Sequence, residues 1–320
     1  MRDSRSVLVL TNPYDVTADV VLRLLAERRV PVVRLDPGTD LHTGASLTAT
    51  YRTGDQRGTL RTASREIDTR RIRSVWVRRP SPYEGPPELS GQDRRFAAEQ
   101  ALWGAGGILA SLPGAHYVNH PWSNRAAEFK PAQLSTALRC GFLVPSTVIT
   151  DDPQEARTFA AHQPGGVVYK PVWNTPYRVD DQPHSVWVRE VRAAEITDAV
   201  SVCPHMFQAK VDKAFDARVT AVGGRLFGVR IDSPDLDWRY RQDLMTCTPI
   251  EVPASVARAV ATYLAELRLN YGAFDFAVTA AGAWYFLECN PNGQWAWQPA
   301  QTTAAIAQAL TDRLEKGPDT

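Results

Sequence analysis

Two acidic side chains near the C-terminus are set into apolar runs, and that placement constrains this chain more than any other feature. Phe274-Asp275-Phe276 and Phe286-Leu287-Glu288-Cys289-Asn290 flank Ala281-Gly282. With Ala281-Gly282 as a two-residue turn, the runs become a hairpin with Asp275 across from Glu288. Directly opposed residues share a face, and Asn290, two residues past Glu288, shares it too. Two like charges buried opposite each other are costly without a cation between them. Two carboxylates and an amide oxygen are hard donors, suited to magnesium held with phosphates and unsuited to zinc. The alternative is a solvated edge hairpin, and the apolar flanks speak against it.

The chain ahead of this hairpin predicts a second architecture. Val7–Leu10, Pro31–Leu35 and Ser74–Pro80 read as strands, and Ala18–Arg29 carries Val20, Val21, Leu24 and Leu25 at helical spacing. Asp93 is positioned to cap a helix of roughly twenty residues ending near Pro113. Alternating strands and helices predict a small α/β domain with a mostly parallel sheet. Asn119 to Asn124 reads as a fresh start, with Ser123 capping a helix that Lys130-Pro131 restarts. Phe142–Thr150, Gly166–Val172, Val186–Val191 and Met206–Val211 follow as strands, then a hairpin over 216–231 about Gly223-Gly224, the amphipathic helix Ala254–Leu269, the 273–290 hairpin and a last helix over 300–315. The fold class is therefore α/β and α+β, with expected domains at 1–119, 120–200 and 201–320.

Composition removes several classes of function. Cys140, Cys203, Cys247 and Cys289 lie far apart, which argues against a disulfide framework or structural zinc and fits a reducing cytoplasm. The longest stretch free of Asp, Glu, Lys and Arg, Gln100 to Asn124, holds Gly, Pro, His and Asn, so no membrane span is expected. The net charge of +1 argues against a nucleic-acid binder. Residues 1–80 nevertheless hold 15 Arg, no Lys and 9 acids. Such a region attracts an acidic partner or is simply a scatter of solvated arginines.

There are 31 arginines and only five lysines, Lys130, Lys170, Lys210, Lys213 and Lys316. A chain that uses Arg for general surface charge keeps Lys where a compact ammonium is needed. Lys170 ends the apolar run Val167-Val168-Tyr169 before Pro171, where it can reach a phosphate or merely snorkel. Lys130 is a second phosphate candidate. Gln208-Ala209-Lys210-Val211 offers backbone groups to a flat base. About the Gly223-Gly224 turn, Asp216 and Arg218 share a face with Val229 and Ile231. An arginine paired with its own carboxylate can stabilise charge developing on a phosphoryl group.

In this order the pieces resemble the ATP-grasp superfamily: Lys130, Val168-Tyr-Lys170-Pro, Gln208-Ala-Lys-Val, Asp216-Ala-Arg218, Asp275 and Glu288-Cys-Asn290. The likeness spans about 120 to 292. Trp76-Val-Arg-Arg-Pro80, Asn119-x-Pro with Asn124, Lys130-Pro-x-Gln-Leu134, Val144-Pro-x-Thr147 and Asp237-Trp-Arg239 resemble the graspetide (microviridin-type) peptide maturases, with their MvdD-like pre-ATP-grasp N-terminal domain. The resemblance implies an ATP-grasp fold behind a small α/β domain. It also implies an ADP-forming ligase that phosphorylates Asp or Glu side chains of a ribosomal precursor peptide. Thr, Ser or Lys would then displace phosphate to close an ester or amide macrocycle.

Carried over by position, Lys130 and Lys170 would hold ATP phosphates. Gln208, Ala209 and Val211 would frame the adenine, with Asp212 the candidate for the ribose. Asp275, Glu288 and Asn290 would ligate Mg2+. Arg218 would be catalytic, and Asp216 and Arg239 would bind substrate. A cytoplasmic homodimer with no nucleic-acid or membrane partner completes the expectation. Two departures stand out: Trp173 to Tyr177 has no glycine where many relatives have a Gly-rich phosphate loop, and Ala209 stands where the hinge commonly has Glu. Two other readings remain at this level, a ligase adding an amino acid such as glutamate to a carboxylate and a nucleotide-binding protein without turnover.

Overall fold

The computed structural model describes residues 4–173 and 177–317. Its N-terminal part is built on a four-stranded, all-parallel sheet in the order Val32–Leu35, Ser6–Thr11, Ile72–Arg79, His116–Val118. A parallel sheet needs cover on both faces, and the alternation along its strands supplies two apolar surfaces. Leu8, Leu10, Val33, Leu35, Val75 and Val77 pack with Leu60, Leu109 and Leu112. Val7, Val9 and Trp76 pack with Val21 and Leu25 of the helix Val16–Glu27 and with Ile306, Leu310 and Leu314 of the last helix, Ala300–Lys316. The chain's final helix thus closes the core of its first sheet.

The middle of the chain forms an antiparallel sheet in the order Arg189–Val191, Val167–Lys170, His205–Ala209, Thr147–Thr150. The C-terminal part is a five-stranded antiparallel sheet, ordered Thr246–Ile250, Arg225–Asp232, Lys213–Val222, Tyr271–Thr279, Trp284–Asn290. The Gly223-Gly224 turn has the expected register, with Asp216 opposite Ile231 and Val222 opposite Arg225. Under this sheet lies the helix Ala254–Glu266 and a cluster of Phe142, Tyr263, Phe274, Phe276 and Phe286, with the Phe142 and Phe286 ring centroids 5.2 Å apart. No described helix is long and apolar enough to cross a membrane.

Several local expectations change. The long helix runs Gly91–Ala110 with Ser90 at its N-cap position and Asp93 in its first turn. The next helix begins at Pro121, and His120 caps it by accepting from the Trp122 N–H, so Ser123 lies inside the helix. Only Thr147–Thr150 of the run beginning at Phe142 is a strand. Pro145 has no N–H to give a ladder, and Leu143 instead makes a single bridge to Tyr285. Of Val186–Val191, only Arg189–Val191 is strand.

One buried side chain ties the parts together. The Asn119 amide donates to Asn124 Oδ1 (3.0 Å), Tyr271 O (2.9 Å) and Pro291 O (3.1 Å), and its oxygen accepts from Asn270 N (2.6 Å) and Tyr271 N (2.8 Å). Asn119→Ala strands two buried N–H groups and two carbonyls. It should cost about 3–5 kcal/mol, since each unsatisfied buried group costs roughly 1–3 kcal/mol with some relaxation. A urea midpoint unchanged from the parent would show that this amide does not join the parts.

Candidate active site

The C-terminal hairpin has the expected pairing by an unexpected route. Its loop holds three residues, not two: Thr279 N donates to Ala283 O, Gly282 N to Thr279 O, and Gly282 takes φ +80°. From that turn the register pairs Phe276 with Phe286, and unbroken it would set Asp275 across from Leu287. An extra residue, Leu287, bulges there and restores Asp275 opposite Glu288 and Ala273 opposite Asn290. A bulge re-aims side chains. Here Leu287 and Glu288, adjacent in sequence, both line the same cleft. The ring cluster holds the other face of the hairpin, so the acids have no room to turn inward.

Cations answer both acids. Glu288 accepts from Lys130 Nζ (2.6 Å) and from an Arg239 terminal nitrogen (2.8 Å). Asp275 is gripped by Arg218 through Nε (2.6 Å) and a terminal nitrogen (3.1 Å), with Arg239 at 3.4 Å. Burial raises the Asp275 carboxyl above the usual range against the pull of Arg218 and Arg239. Burial acts the same way on Glu288, but the charges of Lys130, Arg239 and Lys170 outweigh it and hold that carboxyl well below its ordinary value. Among the described residues no three His, Cys, Asp or Glu side chains converge as a metal cage. Two opposed carboxylates with Asn290 beside them fit a magnesium ion whose remaining ligands are water and phosphate oxygens.

The hairpin forms one wall of a cleft of about 500 Å³. Lys130, Lys170, Arg239, Glu288 and Asn290 line it together. A narrower slot continues from it, lined by Lys170, Gln208, Ala209, Val211, Lys213, Asp216 and Asp275. The two share Lys170, Val188, Asp237, Arg239 and Leu287. Lys130 opens the helix Lys130–Arg139, with Pro131 in its first turn. From the same helix Gln133 clamps the hairpin: its amide donates to Cys289 O and accepts from Cys289 N, both at 2.9 Å. That clamp sets the Lys130 to Glu288 distance. Gly293 lies just beyond, where an added Cβ would sit 2.4 Å from the Ala273 Cβ and 3.2 Å from the Arg218 guanidinium.

Residues 6–125 match the family described as MvdD pre-ATP grasp domain. A RiPP-associated ATP-grasp ligase from Chryseobacterium gregarium, solved in complex with ADP and a leader and core peptide, is 26% identical over 98% of both chains, with TM-score 0.89. The fold is that of the ATP-grasp ligases. Macrocyclase MdnB from Microcystis aeruginosa MRC is 29% identical over 98% of this chain and 100% of its own, with TM-score 0.82. Macrocyclase MdnC from the same source, solved with precursor peptide MdnA, shares the fold at TM-score 0.84 and 24% identity, over 97% of this chain and 98% of its own. No curated protein matches the chain in sequence.

In this ligase several expected pairings differ. Asp216 does not pair with Arg218; its partner is Lys213, which also donates to Leu236 O (2.7 Å). The two side chains project from one face, but strand Tyr271–Thr279 sets Asp275 opposite Arg218, and that acid takes the guanidinium fork. Arg218 lies buried over Trp238 and Trp297, behind the lining of the cleft, whereas Arg239 is on its wall. The Gln208 side chain accepts from Lys170 Nζ and donates to Thr147 Oγ1, both at 2.9 Å, so it orients the lysine. Asp212 is exposed and outside the slot. Asn174 to Pro176, in the glycine-free segment, lie outside the described residues. Lys213, Asp237, Trp173, Trp187 and Arg79 also line these spaces. Asp237 and Arg79 belong to motifs legible in the sequence, Trp173 opens the glycine-free segment, and Lys213 stands out only by the scarcity of lysine.

Lys170 is half-buried, and desolvation pulls its ammonium down to about 8 against the opposing charge of Glu288. A bound phosphate favours the charged form, so the nucleotide-free protein loses this proton first. Affinity for a non-hydrolysable ATP analogue should hold below pH ~8 and fall above it, by up to roughly tenfold per unit. Lys170→Met should weaken binding and remove that slope. Calorimetry across this range decides; a flat parent profile would show that Lys170 does not meet the phosphates.

Proposed function

We propose that this ligase uses ATP and Mg2+ to activate Asp or Glu side chains of a ribosomal precursor peptide and to close them into ester or amide macrocycles. The observation that carries the reading is the cleft itself. Three cations, Lys130, Lys170 and Arg239, surround an opposed pair of acids at one end of a space roomy enough for a peptide side chain beside a nucleotide. The base would enter the slot along Ala209 to Val211. Phosphates would draw Lys130 and Arg239 away from Glu288, freeing its oxygens, with those of Asp275 and Asn290, for the metal.

The magnesium would neutralise the phosphate charge and hold the γ-phosphoryl group in line. A peptide carboxylate oxygen then attacks the γ-phosphorus and ADP leaves. A Thr or Ser hydroxyl, or a Lys amine, attacks the acyl carbon, loses its proton, and phosphate departs. Arg239, on the cleft wall, would stabilise the charge that develops on the transferring group. Arg218 was expected in that role. Buried behind the wall, it would instead act by fixing the orientation of the Asp275 carboxylate.

We also place the three domains at 1–119, 120–200 and 201–320. The chain would work in the cytoplasm as a homodimer. The exposed Phe96 and Trp103, seven residues apart on the helix Gly91–Ala110, support that contact.

Co-expression with a short acidic, Thr-bearing precursor peptide from the ligase's gene neighbourhood should yield product lighter by one water per link in mass spectrometry. Glu288→Gln or Asp275→Asn should leave the peptide unmodified while the protein stays folded. Arg239→Ala should slow single-turnover cross-linking by about 10²–10³ at saturating ATP. ADP release driven by free glutamate, with no peptide modified, would replace this reading with the amino-acid ligase.

A further inference from the structure

The strand Ile72–Arg79 ends in two consecutive arginines, and the proposed chemistry uses neither. The ladder with Ser6–Thr11 is irregular at this point: Leu10 pairs with Val77 and Thr11 with Arg79, leaving Arg78 as an extra residue. The irregularity separates the fates of the two side chains. Arg78 is buried, lies 3.3 Å from Asp15, and donates to the carbonyl of Asn292 in the loop just past Asn290. Arg79 emerges exposed into the large cleft, among Glu128, Lys130, Glu288, Asn290 and Pro291. Its backbone is fixed, because its carbonyl accepts from Asn12 N (3.0 Å) and Asn12 Nδ2 (2.8 Å).

The other cations on these walls already have partners. Lys130 and Arg239 hold Glu288, Lys170 holds Gln208, Lys213 holds Asp216 and Lys210 holds Glu190. Among the described residues lining the cleft and slot, Arg79 is the cation whose side chain makes no hydrogen bond or ion pair. An unpaired guanidinium on a fixed backbone presents its planar fork to whatever enters, and that fork matches a carboxylate bidentately.

We propose that Arg79 is the substrate-binding residue that receives the acceptor carboxylate of the peptide, bringing that acid to the nucleotide end of the cleft. The assignment deepens the proposed function and rests on it. It makes the N-terminal sheet a direct contributor to substrate selection. It also gives a local use to part of the excess positive charge in residues 1–80.

The test uses the full-length ligase and two readouts. In the first, phenylglyoxal modification of Arg79 is followed by peptide mapping in the presence of a non-hydrolysable ATP analogue. The acid-bearing precursor peptide should protect Arg79, and the same peptide with Gln or Asn in place of its acids should not. Equal protection by both peptides, or by neither, overturns the assignment. Protection by free glutamate but not by the peptide keeps Arg79 as the carboxylate receiver and overturns the peptide reading instead. In the second readout, Arg79→Ala should raise the KM for the precursor by roughly ten- to hundredfold, the range for one charged hydrogen-bonding partner lost. Analogue affinity should stay within about twofold, and Arg79→Lys should restore the KM only in part. A parallel loss of nucleotide affinity would make Arg79 a phosphate ligand and overturn the proposal.

Discussion

The opposed pair Asp275 and Glu288 is the constraint on which the rest of this site depends. Two carboxylates facing each other in a buried hairpin repel and are poorly solvated. The fold answers with cations drawn from distant parts of the chain: Lys130 from a helix start, Arg218 from the neighbouring strand and Arg239 from the loop after the Gly223-Gly224 hairpin. Holding these groups together without ligand leaves a site whose charges are paired but exchangeable. A magnesium-bound triphosphate carries both signs and can take over both sets of partners. The side-chain arrangement is thereby organised before the substrates arrive, and little reorganisation is left for the reaction.

Exchangeable charges need a rigid frame. The ring cluster of Phe142, Tyr263, Phe274, Phe276 and Phe286 fills the opposite face of the hairpin. Gln133 clamps Cys289, Asn119 holds Pro291, Arg78 reaches Asn292, and the Tyr271 hydroxyl donates to Gly293 O at 2.6 Å. Each residue from 289 to 293 except Asn290 is thus held by a side chain from elsewhere. Asn290 remains turned to the cleft, its oxygen accepting from Asn292 N. Two of the anchors, Arg78 and Asn119, come from the N-terminal part of the chain. The last helix in turn completes the core of the first sheet, so the ends of the sequence are bound into one another through the wall of the cleft.

Both irregularities that shape the cleft are one-residue shifts in a strand ladder. Leu287 puts Glu288 across from Asp275, and Arg78 separates a buried, positioning guanidinium from an open one. A period of two would have placed either neighbour on the wrong face. The Leu287 bulge lets consecutive residues serve the same cavity, which a regular strand does not allow.

By itself the sequence determined which atoms are available and roughly where. Acids between aromatic residues, a lysine closing an apolar strand, a Gly-Gly turn whose register follows from two-residue spacing, and the alternation that makes a parallel sheet are all local patterns. They are legible because side-chain direction follows backbone period. Tertiary structure decided the partners. Asp216 and Arg218 share a face, yet Lys213 takes the one and Asp275 the other, because a strand more than fifty residues away lies beside Arg218. The expected two-residue turn at Ala281-Gly282 would have set Asp275 opposite Glu288. The real three-residue loop would have set it opposite Leu287, and the Leu287 bulge corrected that. No local residue type announces such a bulge, since its gain lies in the charge it brings opposite another. Arg79 and Trp187 reach the cleft for the same reason: their position depends on how separate sheets dock, and docking is settled by buried surfaces that no short stretch of sequence contains.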